Sequence, residues 1–513
     1  MNSVRRAILP TGAVAIVAII SALCMQSLSW AAPQDPDRER GGTVAPAGTS
    51  AVDEVPPPRP LLPIPTARQL EWQRDELRLF LHFGVNTFTD REWGTGDEDP
   101  AIFSPRTLDA RQWARVAREA GFRTLIITAK HHDGFALWPS DYTDHSVERS
   151  PWRAGRGDVV AELAQAARGE RLRLGVYLSP WDRNAPVYGD NEAYNAFYLG
   201  QLRELLTRYG PVSEVWFDGA KGEDAADMEY DFDAYWSLVR QLQPGAVMFS
   251  DAGPDVRWIG NEHGFAGETN WSTYDRSKVG VGMAGITEYL NTGEPGAPDW
   301  VPGECDVSIR PGWFYHADQA PKTLDELMEI YFKSVGRNCV LLLNVPPNQD
   351  GLFDREDVSR LLEFGAAVRS IFSRNLAANA DASASSVRGA SDVYGASQTL
   401  DGSLDTYWAV ESGETTGHLE FDLGGERTFN VVMLQEPIQL GQRISKYRVE
   451  AFSEGTWQPV ASGTTIGHRK LDRTVGTVLT RRVRVVFEEA LAEPLLAEFG
   501  LFLDPATDTS VLE

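Results

Sequence analysis

Cysteine is scarce, with three residues in a chain of 513. That excludes a disulfide framework and a cysteine-built zinc cluster. Cys24 falls in the N-terminal apolar stretch, and whether Cys305 and Cys339 pair is left open. Positive charge is also short: 48 Lys and Arg stand against 73 Asp and Glu, for a formal net charge of −25. Such a surface repels phosphate backbones and anionic membranes, which argues against a nucleic-acid partner. The apolar run from Ile8 to Cys24 is slightly short for a membrane span. It follows Arg5 and Arg6 and precedes Ser29-Trp30-Ala31, a small-x-small pattern, so residues 1–32 read as a secretory signal. The expectation is an exported protein with no membrane span after processing, the alternative being a retained anchor. A lipoprotein at Cys24 is disfavoured, because Leu23 sits where a small residue is wanted. Removing the signal takes away two Arg and no acid, so the charge becomes −25 − 2 = −27.

What is present is a globular composition, 42% hydrophobic and 24% charged. The length exceeds what one core serves, so two folded domains are expected. Residues 33–66 are rich in Pro, Gly and charge without apolar periodicity, and read as a disordered linker. Strand and helix patterns alternate from Ala67 to about residue 375. The strands are Leu77–Val85, Thr124–Ala129, Leu172–Leu178, Ser213–Phe217, Ala246–Ser250 and Cys339–Leu343. Between them come helices at Leu108–Ala120, after Asp158, and at Glu192–Tyr209, Phe232–Leu242 and Leu324–Val335. Repeated β-α units with apolar strands mean a parallel sheet covered on both faces. An open doubly wound sheet would share that pattern. Polar residues at the strand C-terminal ends, His82, His131, Tyr177 and Asp218, favour a (β/α)8-like barrel with its site at that mouth.

From residue 376 to 513 the texture becomes short alternating strands, an all-β sandwich signature. They are His418–Leu423, Val431–Leu434, Tyr447–Phe452 and Val483–Phe487. The stretch Leu400-Asp401-Gly402-Ser403-Leu404-Asp405-Thr406-Tyr407-Trp408 resembles discoidin-like sandwiches, which include family 32 carbohydrate-binding modules. The resemblance implies a structural calcium near Asp401, Asp405 and Thr406, and either a sugar-binding or a bracing role.

Fifteen Trp and 15 Tyr suit the flat apolar faces of sugars as well as a large core. Glycoside cleavage needs two carboxyl groups about one bond. Asp218 closes an apolar strand in Glu214-Val215-Trp216-Phe217-Asp218-Gly219, and Glu262 and Glu268 follow in loops able to reach over a barrel mouth. Residue chemistry alone does not choose between those two. Five ordered segments resemble glycoside hydrolase family 29, the α-L-fucosidases, over residues 68 to 375. They are Leu81-His82-Phe83-Gly84, Glu92-Trp93-Gly94, Lys130-His131-His132-Asp133-Gly134-Phe135, Glu214–Gly219, and Leu343-Asn344-Val345-Pro346-Pro347-Asn348. The segments Arg257–Glu262 and Pro302–Trp313 are similar to the subgroup acting on α-1,3/1,4-linked fucose of branched glycans.

The resemblance implies a retaining mechanism, with Asp218 as nucleophile and Glu262 as acid/base, Glu268 being second choice. It implies fucose contacts at His82, Glu92, Trp93, His131, His132, Tyr177 and Trp216. Trp313 joins them as a candidate apolar wall, while Glu304 could support the site or bind the branching sugar. Retention sets the two carboxyl groups about 5–5.5 Å apart. No cofactor or active-site metal is expected: His131 and His132, as strand neighbours, should point to opposite faces and chelate poorly. Fucosylated oligosaccharides or glycoconjugates are the implied partners. A non-catalytic glycan-binding protein and a metal-dependent hydrolase are the competing readings.

Overall fold

The computed structural model describes residues 55–507. The expected signal at 1–32 and most of the expected linker lie outside that range. Eight strands close a parallel barrel. They are β1 (Leu77–Leu81), β2 (Thr124–Lys130), β3 (Arg173–Leu178), β4 (Glu214–Trp216), β5 (Val247–Ser250), β6 (Val256–Trp258), β7 (Gly303–Ser308) and β8 (Cys339–Asn344). Each pairs with its neighbours in chain order, and β8 closes on β1. Strands such as Thr-Leu-Ile-Ile-Thr-Ala-Lys in β2 are buried throughout, because helices cover one face and the barrel interior the other.

Helices follow most strands, for instance Phe232–Leu242 after β4, where the Asp231 side chain accepts from the backbone N–H of Ala234. The alternation is incomplete. No helix separates β5 from β6: residues 251–255 turn straight back, and Asp255 ties that turn to Met248 through both its backbone N–H and its carboxylate. Residues 259–302 form a long excursion holding the short helix Thr287–Thr292, a 3-10 turn at Arg276–Lys278 and the small antiparallel pair Thr273–Tyr274 with Asp299–Trp300. The helix Ala67–Asp75 plugs the lower end of the barrel with Trp72, packed among Phe80, Ile126, Trp216 and Leu342. Cys305 and Cys339 are buried free thiols on the adjacent strands β7 and β8. No helix among the described residues is long and apolar enough to cross a membrane.

The second core belongs to an antiparallel sheet domain. The expected short strands 418–423 and 431–434 are two stretches of one strand, Gly417–Gln435, whose register shifts twice. Likewise 483–487 belongs to Lys470–Ala490. The linker reading also needs correction at its end. Residues 55–66 are held by this domain: Arg388 Nε donates to Pro56 O at 2.7 Å, and Leu61 N donates to Leu440 O at 2.9 Å. Proline there blocks regular structure without preventing packing.

Of the suggested calcium ligands, two bond to each other and the third reaches the barrel. Asp401 accepts from the Thr406 hydroxyl at 2.7 Å, and Asp405 pairs with Arg74 of the barrel's first helix at 2.9 Å. No group of three or more His, Cys, Asp or Glu among the described residues is arranged to hold a metal ion.

Candidate functional site

The C-terminal ends of the strands surround a cavity of about 310 Å³. Its walls include His82, Glu92, Trp93, His131, His132, Tyr177, Trp216, Asp218, Glu262 and Trp313, the expected set apart from Glu268. Glu268 lies elsewhere: its side chain is 87% exposed and faces Arg337 at 3.6 Å. Six residues beyond Glu262, the chain has already left the barrel mouth for the sandwich side, so Glu268 is corrected out of the site.

Asp218 sits just past β4, where its carboxylate accepts from Tyr177 Oη at 2.9 Å and from the Ala220 backbone N–H at 2.7 Å. His132 Nε2 stands 3.7 Å away. Tyr177 comes from the adjacent strand β3 and His132 from the end of β2, so the barrel itself aims this carboxylate. Glu262 is carried by the loop after β6 and accepts from Trp313 Nε1 at 3.2 Å. Its pKa is raised, by burial above all and further by the charge of Asp218, against the bond from Trp313. The two carboxyl groups therefore differ in their surroundings: Asp218 is half-buried and supplied with two donors, whereas Glu262 stands at the exposed rim of the cavity with one.

The histidines are held neutral. Burial pushes His82 down to about 3, against its bond to Asn344, and drives His131 well below its ordinary range. His132 is also lowered by burial, with Asp218 pulling the other way. Its Nδ1 pairs with Ser179 Oγ at 2.7 Å, while His131 Nδ1 is buried without a partner. Contrary to the strand-alternation expectation, His131 and His132 both face the cavity, with ring centroids 4.1 Å apart. The pairing of β2 with β3 shifts register between Thr128 and Lys130, and the strand ends there, so the period of two no longer applies.

Glu92 is anchored by the loop after β7: Trp313 N donates to it at 2.8 Å, and His316 Nε2 pairs with it at 2.6 Å. Burial opposes charge on His316, but Glu92 and Asp90 outweigh it and raise its pKa. Glu304 does not reach the cavity. It is fully buried beneath the floor and accepts from Trp216 Nε1 at 2.8 Å. Among the wall residues that escaped the sequence reading are Asp251, Trp258 and Asp306. Asp306 accepts from Trp258 Nε1 at 2.9 Å, and burial with the nearby charge of Glu262 raises its pKa well above the usual carboxylate range. Asp251 is pushed up to about 6, mainly by burial. The alternation Glu304-x-Asp306-x-Ser308 was the available signal: a strand whose inward residues are polar.

Fold and site together are those of a glycoside hydrolase, with carboxyl groups converging on a sugar-sized cavity at a barrel mouth. Residues 71–370 match the alpha-L-fucosidase family model, and residues 381–497 match the F5/8 type C domain. Alpha-L-fucosidase 1 of Arabidopsis thaliana is 50% identical over 458 residues, covering 89% of this chain and 90% of that protein. Among solved structures, SpGH29 superposes with a TM-score of 0.84 at 45% identity, covering 88% of this chain and 100% of that one. A GH29 fucosidase of Ruminococcus gnavus in complex with fucose gives 0.82 at 36% identity, covering 90% and 98%. The chain belongs to the α-L-fucosidase family.

Proposed function

We propose that this α-L-fucosidase is a retaining, exo-acting enzyme that releases terminal α-1,3/1,4-linked L-fucose from branched glycans. The observation that carries the mechanism is the contrast between Asp218 and Glu262 within one cavity. Asp218, oriented by hydrogen bonds from Tyr177 Oη and the Ala220 N–H, attacks the anomeric carbon. As the C1–O bond to the aglycone breaks, the protonated Glu262 gives its proton to the departing oxygen. Glu262 then takes a proton from water, whose oxygen displaces Asp218 from C1. Two displacements retain the configuration. Neutral His82, His131 and His132 donate to and accept from the sugar hydroxyls, and Trp93 or Trp313 lies against the C5 methyl.

The linkage preference rests on the motifs Arg257–Glu262 and Pro302–Trp313. Hydrolysis followed by NMR tests the mechanism: β-L-fucose as the first product would overturn retention. A panel of aryl fucoside and α-1,2, α-1,3 and α-1,4 fucosyl oligosaccharides tests the linkage, with the branched α-1,3/1,4 substrates expected to lead. A clear α-1,2 preference would refute that refinement. We also infer export, from Arg5 and Arg6 before the Ile8–Cys24 run. N-terminal sequencing of the protein recovered outside the cytoplasm should show residues 1–32 removed, and an intact start would count against it.

A further inference from the structure

The loop that carries Glu262 is held by the other domain. It leaves β6 at Ile259, whose backbone N–H donates to Glu304 O of β7 at 3.1 Å. Gly260 turns it with φ +86°, where a side chain would strike Thr287 O. Asn261 folds it back on itself, its Nδ2 donating to Phe265 O at 2.8 Å. The loop then closes on its own root: Arg257 Nη2, on β6, donates to Asn270 Oδ1 at 3.0 Å and to Trp271 O at 2.9 Å. Arg257 is fully buried and meets no carboxylate here; its guanidinium is satisfied by neutral oxygens, including Leu290 O and Val301 O. Two of its four bonds therefore depend on where the Asn270–Trp271 segment stands.

Asn270 is fixed from the sandwich. Thr465 Oγ1 accepts from its backbone N–H at 2.9 Å, and Gln442 Nε2 donates to its carbonyl at 3.0 Å. Gln442 Oε1 accepts from Ser272 N at 2.8 Å, so one amide grips the chain on both sides of Trp271. Thr464 Oγ1 meets Thr269 Oγ1 at 2.7 Å. From the barrel side Asn338, Arg337 and Arg257 also bond to Asn270. Gln442 is almost fully buried, so its bonds are made away from competing water.

We propose that the β-sandwich is a positioning element for the acid/base. Gln442 and Thr465 set Asn270, Asn270 and Arg257 close the 259–270 loop, and that loop places the Glu262 carboxyl against the departing oxygen. This rests on Glu262 being the acid, so the test includes Glu262→Ala. Two substrates separate positioning from general bracing. α-L-Fucosyl fluoride needs no proton on its leaving group, whereas a fucosylated oligosaccharide does.

In the full-length enzyme, Gln442→Ala and Thr465→Val should each lower kcat/KM on the oligosaccharide by about tenfold or more while sparing the fluoride. They should also move the alkaline limb of the pH–rate profile, and Thr465→Ser should restore both. Arg469→Ala removes a different interdomain contact, the 2.8 Å pair with Glu76. It should lower Tm and leave the ratio of the two substrates alone. Equal loss on both substrates in the clamp variants, an unchanged ratio, or the same ratio shift in Arg469→Ala would overturn the proposal. If Gln442→Ala fails to fold, Thr465→Val and its Ser rescue carry the same decision. If Glu262→Ala itself shows no selective loss on the oligosaccharide, the acid assignment falls first and the proposal falls with it.

Discussion

The upper and lower ends of the barrel interior treat carboxyl groups in opposite ways. At the mouth, Glu92, Asp218, Asp251, Glu262 and Asp306 line one cavity, with no Lys or Arg among its lining residues. At the base, Glu214 is fully buried and bonded at 2.6 Å to Arg78, which also pairs with Asp75 at 2.9 Å, under the Trp72 plug. The base neutralises charge with an internal cation. The mouth pairs Glu92 with His316 and leaves the other four carboxyl groups without a cation, regulating them by burial and hydrogen bonds. An uncompensated cluster of that kind destabilises the fold, so its presence marks chemistry, whereas the paired cluster marks structure.

The largest effect should come from removing the proposed nucleophile. Asp218→Ala is expected to cost on the order of 10⁴-fold or more in kcat, measured on any fucoside. Retention of more than a hundredth of the activity would mean that the mouth is not divided as argued. Next comes Glu262→Ala, expected to cost about 10²–10⁴-fold in kcat/KM on oligosaccharides and far less in kcat/KM on α-L-fucosyl fluoride, whose first step needs no acid. In the native enzyme, oligosaccharide turnover should fall as pH rises through the raised pKa of Glu262, because only its protonated form donates. An alkaline limb that persists in Glu262→Gln would assign it to another group, Asp306 or Asp251 foremost. A smaller loss is expected from Tyr177→Phe, which deletes one O–H bond to Asp218. Bonds to charged groups contribute about 1.5–3 kcal/mol, so kcat/KM should drop about tenfold to a hundredfold.

How far this division was legible in the sequence depends on which way residues face. Strands β1 to β5 and β8 are apolar on both faces and read directly, and the helix Phe232–Leu242 was placed at its observed bounds. Strands β6 and β7 did not read as strands. Their inward positions carry Glu304, Asp306 and Ser308, or the run is only three residues long, as in Val-Arg-Trp. The polar residues that make the site functional are the ones that erase its strand signal. Asp218, His82 and His131 stood out because they close apolar runs, and His132 came with the family resemblance. Asp251 was missed because a strand-to-strand turn without a helix has no period to read, and Asp306 because it sits inside an unrecognised strand. The sandwich's hold on Asn270 was beyond reach, since the partners lie 172 and 195 residues away in the chain.

The smallest predicted effect tests the base. Glu214 Oε1 and Glu304 Oε2 are buried without a donor, and the two carboxyl groups face each other, so one proton shared between them satisfies both oxygens. Burial first, and then the charge of Glu214, raise the pKa of Glu304 well above the usual range. A carboxyl group whose folded pKa exceeds its unfolded value of about 4.3 leaves stability intact below that value. Stability is then lost as pH rises through the folded pKa, when a second negative charge must be accommodated beside the first with only Arg78 to oppose it. Glu304→Gln keeps the acceptor for Trp216 Nε1 and supplies an N–H where the shared proton sat. Its Tm should therefore decline less than that of the native protein between pH 5 and pH 9, by about 2 °C for each kcal/mol of ionisation cost avoided. Fucoside hydrolysis at pH 5 should change little, because Glu304 acts on the sugar only through the Trp216 ring above it. Parallel Tm curves would mean that the base carries no shared proton, and that the two ends of the barrel differ in exposure alone.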